Sequence, residues 1–434
     1  MNVLVMNHSF EHDLSALRAA SPDWNWRVVG LDLFAREAIR AMGDEVSEHL
    51  GAYHRPHLAE GRACWQERLA TLLEDLWLEE PFDAFVVPSD SYFYLRDAPA
   101  ACERLGVPFL VVQKETTIAP WNMEVGAAAL REHAPLVARH MTVCSERHRE
   151  YWERAGAPRS KMTVTGQPRF DFYADLPDIR LPYGDDGPII LFFSYLPDFY
   201  HPGMVGSEGK AVWQDLLDRT EQELWSLAGE GYRVLVKPHP LQPFRTEARR
   251  IAGQVGDLYG HKVFTIDPAD DVRRLIAGSD IAVGFQSTVM LEAMVAGLPT
   301  VYTCWDPECA RIEDTMSPYH EMDGLMKVVR DADRFADTIR TARPALPGTP
   351  EWQARRDAGQ VHLGALDGLA SERTVQVLAD QIGSFRAEPA HGAGAKPGRR
   401  HRSMALRRYR ARERAIGTAS RVRGALRAYH RRVP

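Results

Sequence analysis

Short apolar runs alternate with longer amphipathic stretches along most of the chain, and the runs are too short and too β-branched to be helices. "NVLVM" (2–6), "WRVVGL" (26–31), "DAFVVP" (83–88), "VPFLVV" (107–112), "MTVC" (141–144) and "MTVTG" (162–166) read as strands, with helical stretches such as 61–79 and 145–155 between them. A Pro/Asp/Gly-rich link, "ADLPDIRLPYGDDG" (174–187), interrupts the pattern. It restarts with "PIILFFS" (188–194), "YRVLVK" (232–237), "KVFTI" (262–266), "DIAVGF" (280–285) and "PTVYT" (299–303). Strands this uniformly apolar are expected where helices cover both sheet faces, and parallel pairing demands crossover helices. The pattern therefore predicts an α/β protein of two Rossmann-like, doubly wound parallel sheets in tandem, over 1–175 and 188–370, joined at 176–187. A capped amphipathic helix within 371–388 closes the fold, and 389–434 form a basic tail, with the linker-like "AEPAHGAGAKPG" (387–398) at the junction.

The 434 residues suit two domains, at about 100 to 200 residues each. The five cysteines lack zinc-site or redox-pair spacing, which fits a reducing compartment, and "MNVLVMNHSFEHD" reads as a first strand rather than a signal peptide. No apolar run approaches the roughly 18 residues of a spanning helix. The expected location is cytoplasmic. The net charge of −6 is unevenly distributed: residues 391–434 hold fourteen Lys and Arg against the single acid Glu413, a balance of +13, which leaves −19 on the rest. A body that acidic argues against nonspecific nucleic-acid binding. In the tail, Val422, Leu426 and Tyr429 share one helical face, with Arg421, Arg423, Arg427, Arg431 and Arg432 on the others. The readings of 399–432 are a solvated tail, a helix lying on an anionic membrane surface and an RNA-binding segment.

In doubly wound sheets ligands sit outside the carboxyl ends of the strands. At one such end, "YRVLVKPHP" (232–240) runs into two prolines that force the chain out of the sheet and leave Lys237 and His239 at its edge. At another, "SDIAVGFQSTVMLEAMVAGLPTVYT" (279–303) places Gln286, Ser287 and Thr288 at a helix start and Glu292 one turn later. Ser and Thr there are ordinary caps, and their amides also favour an anion. Taken with "KPHP", they outline a phosphate pocket: Lys237 and His239 on one side, Ser287 and Thr288 on the other, and Glu292 placed to accept from a ribose diol.

An "HP" dipeptide after a strand, followed about fifty residues later by a Ser/Thr pair opening a helix with a downstream glutamate, resembles the donor half of glycosyltransferases with the GT-B fold. The resemblance is closest to capsule Kdo transferases, CMP-sialyltransferases and CDP-glycerol glycerophosphotransferases, and it covers roughly 80–305, most strongly 232–303. It implies two domains facing a central cleft, with the donor phosphates held by His239, Ser287 and Thr288 and the ribose near Glu292. "TGQPRFD" (165–171) is similar to the Gly-x-Pro-Arg segment that ends the first domain of such enzymes, which brings Arg169 to the cleft. The resemblance further implies a nucleotide-activated donor, of CMP or CDP type in preference to UDP, a glycan or lipid-linked acceptor, and no tightly bound cofactor.

Transfer to a hydroxyl needs a group that takes the acceptor's proton. Glu115, at the carboxyl end of a strand in "VPFLVVQKETTIAP", is the leading choice, and Asp90 in "PSDSYFY" (88–94) is the second. "NHSFEHD" (7–13) turns His8 and His12 toward the cleft as positioning groups; without an HExxH arrangement no metal site is read there. Tyr195 is placed to close over the donor. The teichoic enzymes carry a histidine where "QKETT" falls. Two other readings stand beside the transferase: a non-hydrolysing UDP-sugar 2-epimerase, which needs several acids in the first half, and a nucleotide-binding protein that has lost the chemistry.

Overall fold

The computed structural model describes residues 1–7, 10–114, 117–184, 187–197, 207–240, 242–267, 269–305, 307, 309, 316–388 and 404–413. Each apolar run named above becomes a strand. The first sheet holds β1 (Asn2–Asn7), β2 (Asn25–Gly30), β3 (Ala84–Val87), β4 (Phe109–Val112), β5 (His140–Val143) and β6 (Met162–Val164), in the order β2-β1-β3-β4-β5-β6. The second holds β7 (Ile189–Phe193), β8 (Arg233–Lys237), β9 (Val263–Thr265), β10 (Ile281–Gly284), β11 (Thr300–Thr303) and β12 (Lys327–Val329), in the order β12-β11-β10-β7-β8-β9. All ten strand pairings are parallel. β12 falls outside the apolar pattern because only Val329 of its three residues is buried.

The alternation of side chains along a strand sorts the first half into two cores. Leu4, Met6, Phe85 and Val111 face one apolar cluster, and Val3, Val5, Val86 and Leu110 face the other. The second cluster is completed by Leu378 and Ile382 of the last long helix, Ala370–Ala387, which follows the second sheet in sequence but packs on the first. The cap of that helix comes from elsewhere in the chain: both oxygens of the Asp171 carboxylate accept amides, from Ala370 and Ser371, at 2.8 Å. Close packing where the halves meet demands Gly364, with φ +76°, since a Cβ there would lie 2.0 Å from the Cys144 carbonyl oxygen.

The strand order turns round between β1 and β3 in the first sheet and between β7 and β10 in the second. Such switch points open a crevice at the carboxyl ends of the strands. Beyond the linker, residues 404–413 form a helix that returns to the first half, with Leu406 in its core. That stretch of the expected tail is thus an integral part of the packed fold. Val422, Leu426 and Tyr429 lie outside the described residues. Among the described residues no helix is long and apolar enough to cross a membrane.

Candidate functional site

The switch point of the second sheet gathers the loops after β7, β8 and β10. β8 ends with Lys237 aligned to Phe193 of β7, and the two prolines then carry the chain over the sheet edge. Gln242 locks this exit: its Oε1 accepts the His239 amide at 2.6 Å, and its Nε2 donates to the Tyr195 carbonyl at 3.3 Å. Sequence reasoning missed Gln242; its place two residues after "HP" was the available signal. Burial holds the His239 imidazole below its ordinary pKa, so at neutral pH it offers an N–H rather than a cation.

Lys237 is turned away from this opening. Its ammonium donates to the carbonyls of Asp267 (2.8 Å) and Asp270 (3.1 Å), and burial pulls its pKa down to about 8. The lysine therefore holds the loop after β9. Gln286 is likewise committed: it sits at φ +44°, donates to the Tyr302 hydroxyl and the Ser317 carbonyl, and accepts the Ser317 amide at 2.7 Å. A non-glycine left-handed residue costs roughly 1–2 kcal/mol, and this one aims the next two residues out of the sheet. Ser287 and Thr288 follow, half-buried, and neither hydroxyl bonds a described residue; Thr288, at the helix start, makes no capping bond. The helix itself, Val289–Val295, has only two turns, which limits its dipole. The two hydroxyls are the stronger anion-binding feature. Tyr195 is fully buried against Phe285, with its hydroxyl 3.4 Å from the Trp213 carbonyl, so it belongs to the core and is no lid.

Between the halves runs a polar seam. Arg169, just past β6, sits over the Phe170 ring, with one nitrogen 3.5 Å from Asp13 and another 4.0 Å from Glu292. Asp13, fully buried, also accepts from Gln167 Nε2 (2.8 Å) and the Arg169 amide (3.1 Å). Glu292 is only 2% exposed and accepts from the Tyr173 hydroxyl at 2.8 Å, so it is a joint of the seam rather than an open ribose acceptor. Burial raises its pKa, with Arg169 and Tyr173 opposing. His12 reaches across to the second half: Arg273 Nη2 donates to its Nδ1 at 3.2 Å, and Asp271 lies 3.9 Å from its Nε2. Nδ1 is then the acceptor nitrogen, which agrees with a pKa lowered mainly by burial. Asp271, which caps the helix Val272–Ala277, is brought below the ordinary carboxylate value by Arg273 against the opposing effect of burial.

The first half gives Asp90 a structural task. It is fully buried, and its Oδ2 accepts the amides of Val137 (2.7 Å) and Ala138 (2.9 Å), so it does not face the cleft as a base would. Glu115 and His8 lie outside the described residues. Among the described residues no group of His, Cys, Asp and Glu is arranged to hold a metal ion.

Two doubly wound parallel sheets that meet along a shared polar seam, with a last helix crossing back to the first, define a fold of the GT-B type. A profile of the CDP-glycerol:poly(glycerophosphate) glycerophosphotransferase family matches residues 115–379, and the chain belongs to that family. Among solved structures, MnaA of S. aureus with UDP is similar at 14% identity and TM-score 0.53, over 92% of this chain and 100% of that one. The UDP-GlcNAc 2-epimerase of Neisseria meningitidis bound to UDP-GlcNAc matches at 14% and 0.51, over 88% and 100%. The wall teichoic acid polymerase TagF matches at 12% and 0.51, over 89% and 90%. At these identities the structures establish the fold. No curated protein sequence matches the chain. By its family the protein is a transferase that uses a nucleotide-activated donor.

Proposed function

We propose that the protein transfers a polyol phosphate, or less readily a sugar, from a cytidine-activated donor to a hydroxyl of a surface-polysaccharide or lipid-linked acceptor. The observation that carries the reading is the pairing of unbonded hydroxyls on Ser287 and Thr288 with a neutral imidazole at His239, all at the switch point of the second sheet. In this reading residues 188–370 hold the donor and residues 1–175 the acceptor.

For polyol phosphate transfer, the acceptor oxygen attacks the phosphorus that bears the polyol. A new O–P bond forms, the bridging O–P bond of the diphosphate breaks, and CMP leaves with the electron pair. His239, Ser287 and Thr288 donate to the phosphate oxygens as charge builds on them, each such bond contributing about 1.5–3 kcal/mol. Arg169, held between Asp13 and Glu292, supplies a fixed cation on the seam. Lys237 acts at one remove by fixing the loop that carries Asp271 and Arg273. The acceptor's proton goes to Glu115, because Asp90 is fully buried, with its Oδ2 accepting two amides. The enzyme works in the cytoplasm, and the part of the basic stretch 399–432 beyond residue 413 brings it to the inner face of an anionic membrane, where a lipid-linked acceptor lies.

The test is a thermal-shift panel of CMP, CDP, UDP, GDP and TDP, since binding to the folded state raises Tm by mass action. Cytidine nucleotides should give the largest shift, and purified protein should release CMP from CDP-glycerol when acceptor is added. Absence of any nucleotide effect would sink the reading. Conversion of UDP-N-acetylglucosamine to a 2-epimer without acceptor, followed by NMR, would transfer the assignment to the epimerase class. Nucleotide binding with no turnover across donors would point to a protein that has lost the chemistry.

A further inference from the structure

The first half holds a cavity of about 470 Å³ that the donor site does not use. It opens among the loop after β3, the loop after β4 and the helices Ala127–His133 and Glu146–Arg154. Ser89, Tyr92, Gln113, Trp121, Asn122 and Trp152 carry its character, and none of the described residues lining it is charged.

Several lining groups are left in need of a partner. Gln113 is only 5% exposed, yet its side-chain carbonyl oxygen has no hydrogen-bond partner among the described residues. Trp152, 4% exposed, keeps its indole N–H in the same condition, and so does the Thr117 hydroxyl. Buried polar groups are nearly always bonded, so a buried acceptor, donor and hydroxyl around one cavity call for a ligand able to give and to take hydrogen bonds. One wall adds a second signal: Asn122–Gly126 is a turn of π-helix, a rare conformation that recurs at functional sites. Asn122 spends its side-chain carbonyl on the Ala119 amide at 3.0 Å. Indole and phenol faces beside these polar atoms suit a ring that is apolar on its faces and hydroxylated at its rim.

We infer that this cavity seats an uncharged sugar ring of the acceptor and not its phosphate. A volume in the usual range for small-molecule sites, about 300–1,000 Å³, accommodates one or two such rings. The inference rests on the acceptor role proposed for the first half, and it narrows the acceptor to a chain whose recognised unit is neutral.

Ligand-observed NMR on the full-length protein tests it, with methyl β-D-glucoside and methyl β-D-N-acetylglucosaminide against sn-glycerol 3-phosphate. At least one glycoside should show saturation transfer from the protein, at an affinity at least tenfold above that of glycerol 3-phosphate. Gln113→Leu should lose tenfold or more of that affinity while keeping a Tm at or above the wild-type value, because it removes an unpartnered buried amide. A merely structural Gln113 would instead lower Tm and leave glycoside binding intact, which overturns the inference. Trp121→Ala gives the second arm, with the same loss expected, and His239→Ala should leave glycoside binding unchanged. Glycoside binding without transfer from any nucleotide donor would fail the proposed reaction and keep the cavity's assignment. Transfer with no glycoside binding, or with glycerol 3-phosphate preferred, would do the reverse.

Discussion

The Tyr173 hydroxyl donates to Glu292 Oε2 at 2.8 Å, joining the end of the first half to a helix of the second. Both side chains are buried, and burial pushes the pKa of each upward. Tyr173→Phe leaves a buried carboxylate oxygen without its donor, which costs about 1–3 kcal/mol. Denaturant titration should show that loss, while Glu292→Gln, whose amide oxygen still accepts from Tyr173, should cost less. If the two variants are equally stable, the hydroxyl is not what holds the seam.

Ser287 and Thr288 invite the opposite experiment. Their hydroxyls bond no described residue, so Ser287→Ala and Thr288→Ala should leave the melting temperature of the free protein unchanged. Calorimetry with CDP should find each variant weaker by roughly 10- to 100-fold, the equivalent of one charge-assisted bond. Unchanged affinity in both would remove the pair from the donor site.

His239→Ala should weaken CDP binding over the same range of about 10- to 100-fold. Because burial holds the imidazole below its ordinary pKa, it would meet a donor phosphate at neutral pH with an N–H and no charge. His239→Gln, which keeps an N–H, should therefore recover part of the affinity measured at pH 7.5. Equal losses in the two variants would mean that the ring acts through its shape alone.

The sheets and the loops at their carboxyl ends were legible because parallel strands buried on both faces are written as unbroken apolar runs, and "PHP" can only be an exit from a sheet. What could not be read was the direction of individual side chains. Lys237 and Gln286 stand where the sequence puts them, but their polar ends go to the carbonyls of Asp267 and Asp270 and to the 317 backbone. Nothing local in "KPHP" or "GFQST" encodes those partners. Glu292 shows the same limit: four residues after Thr288 a carboxylate reads as open to a ribose diol, and the approach of Arg169 and of Tyr173, 119 residues earlier, engages it inside the seam. The three-residue β12 and the Asp171 cap on the last long helix depend on tertiary contacts in the same way.

Lys237 predicts a pH dependence whose sign is fixed by its environment. Its pKa is about 8 in the folded protein, against 10.5 ordinarily, so between these values the unfolded chain binds the extra proton. This group's contribution to stability therefore rises with pH across that window, by at most about 1.4 kcal/mol per pH unit, and is lost as pH falls through about 8. Chemical denaturation at pH 7.5, 8.5 and 9.5 should show wild type gaining on Lys237→Met at each step. A constant difference would mean that the buried ammonium has an ordinary pKa.

The basic tail divides at residue 413 into a part that folds and a part on which the membrane proposal rests. Leu406 is 1% exposed in the core of the first half, and the Tyr409 hydroxyl accepts the Gly30 amide at 2.7 Å while donating to Glu413 at 2.6 Å. Arg410 pairs with Glu79 at 3.2 Å, and Arg412 lies 3.9 Å from Asp32. Ending the chain after residue 388 removes all of these and uncovers apolar surface, so it should cost stability, as should Leu406→Ala at about 2–5 kcal/mol. Ending it after residue 413 keeps them and deletes six arginines, which at about 1 kcal/mol each near anionic headgroups are a substantial share of any membrane attraction. The longer truncate should melt with wild type and still turn over a soluble acceptor, yet lose flotation with vesicles rich in phosphatidylglycerol. If it floats as well as wild type, the residues beyond 413 are not the membrane contact.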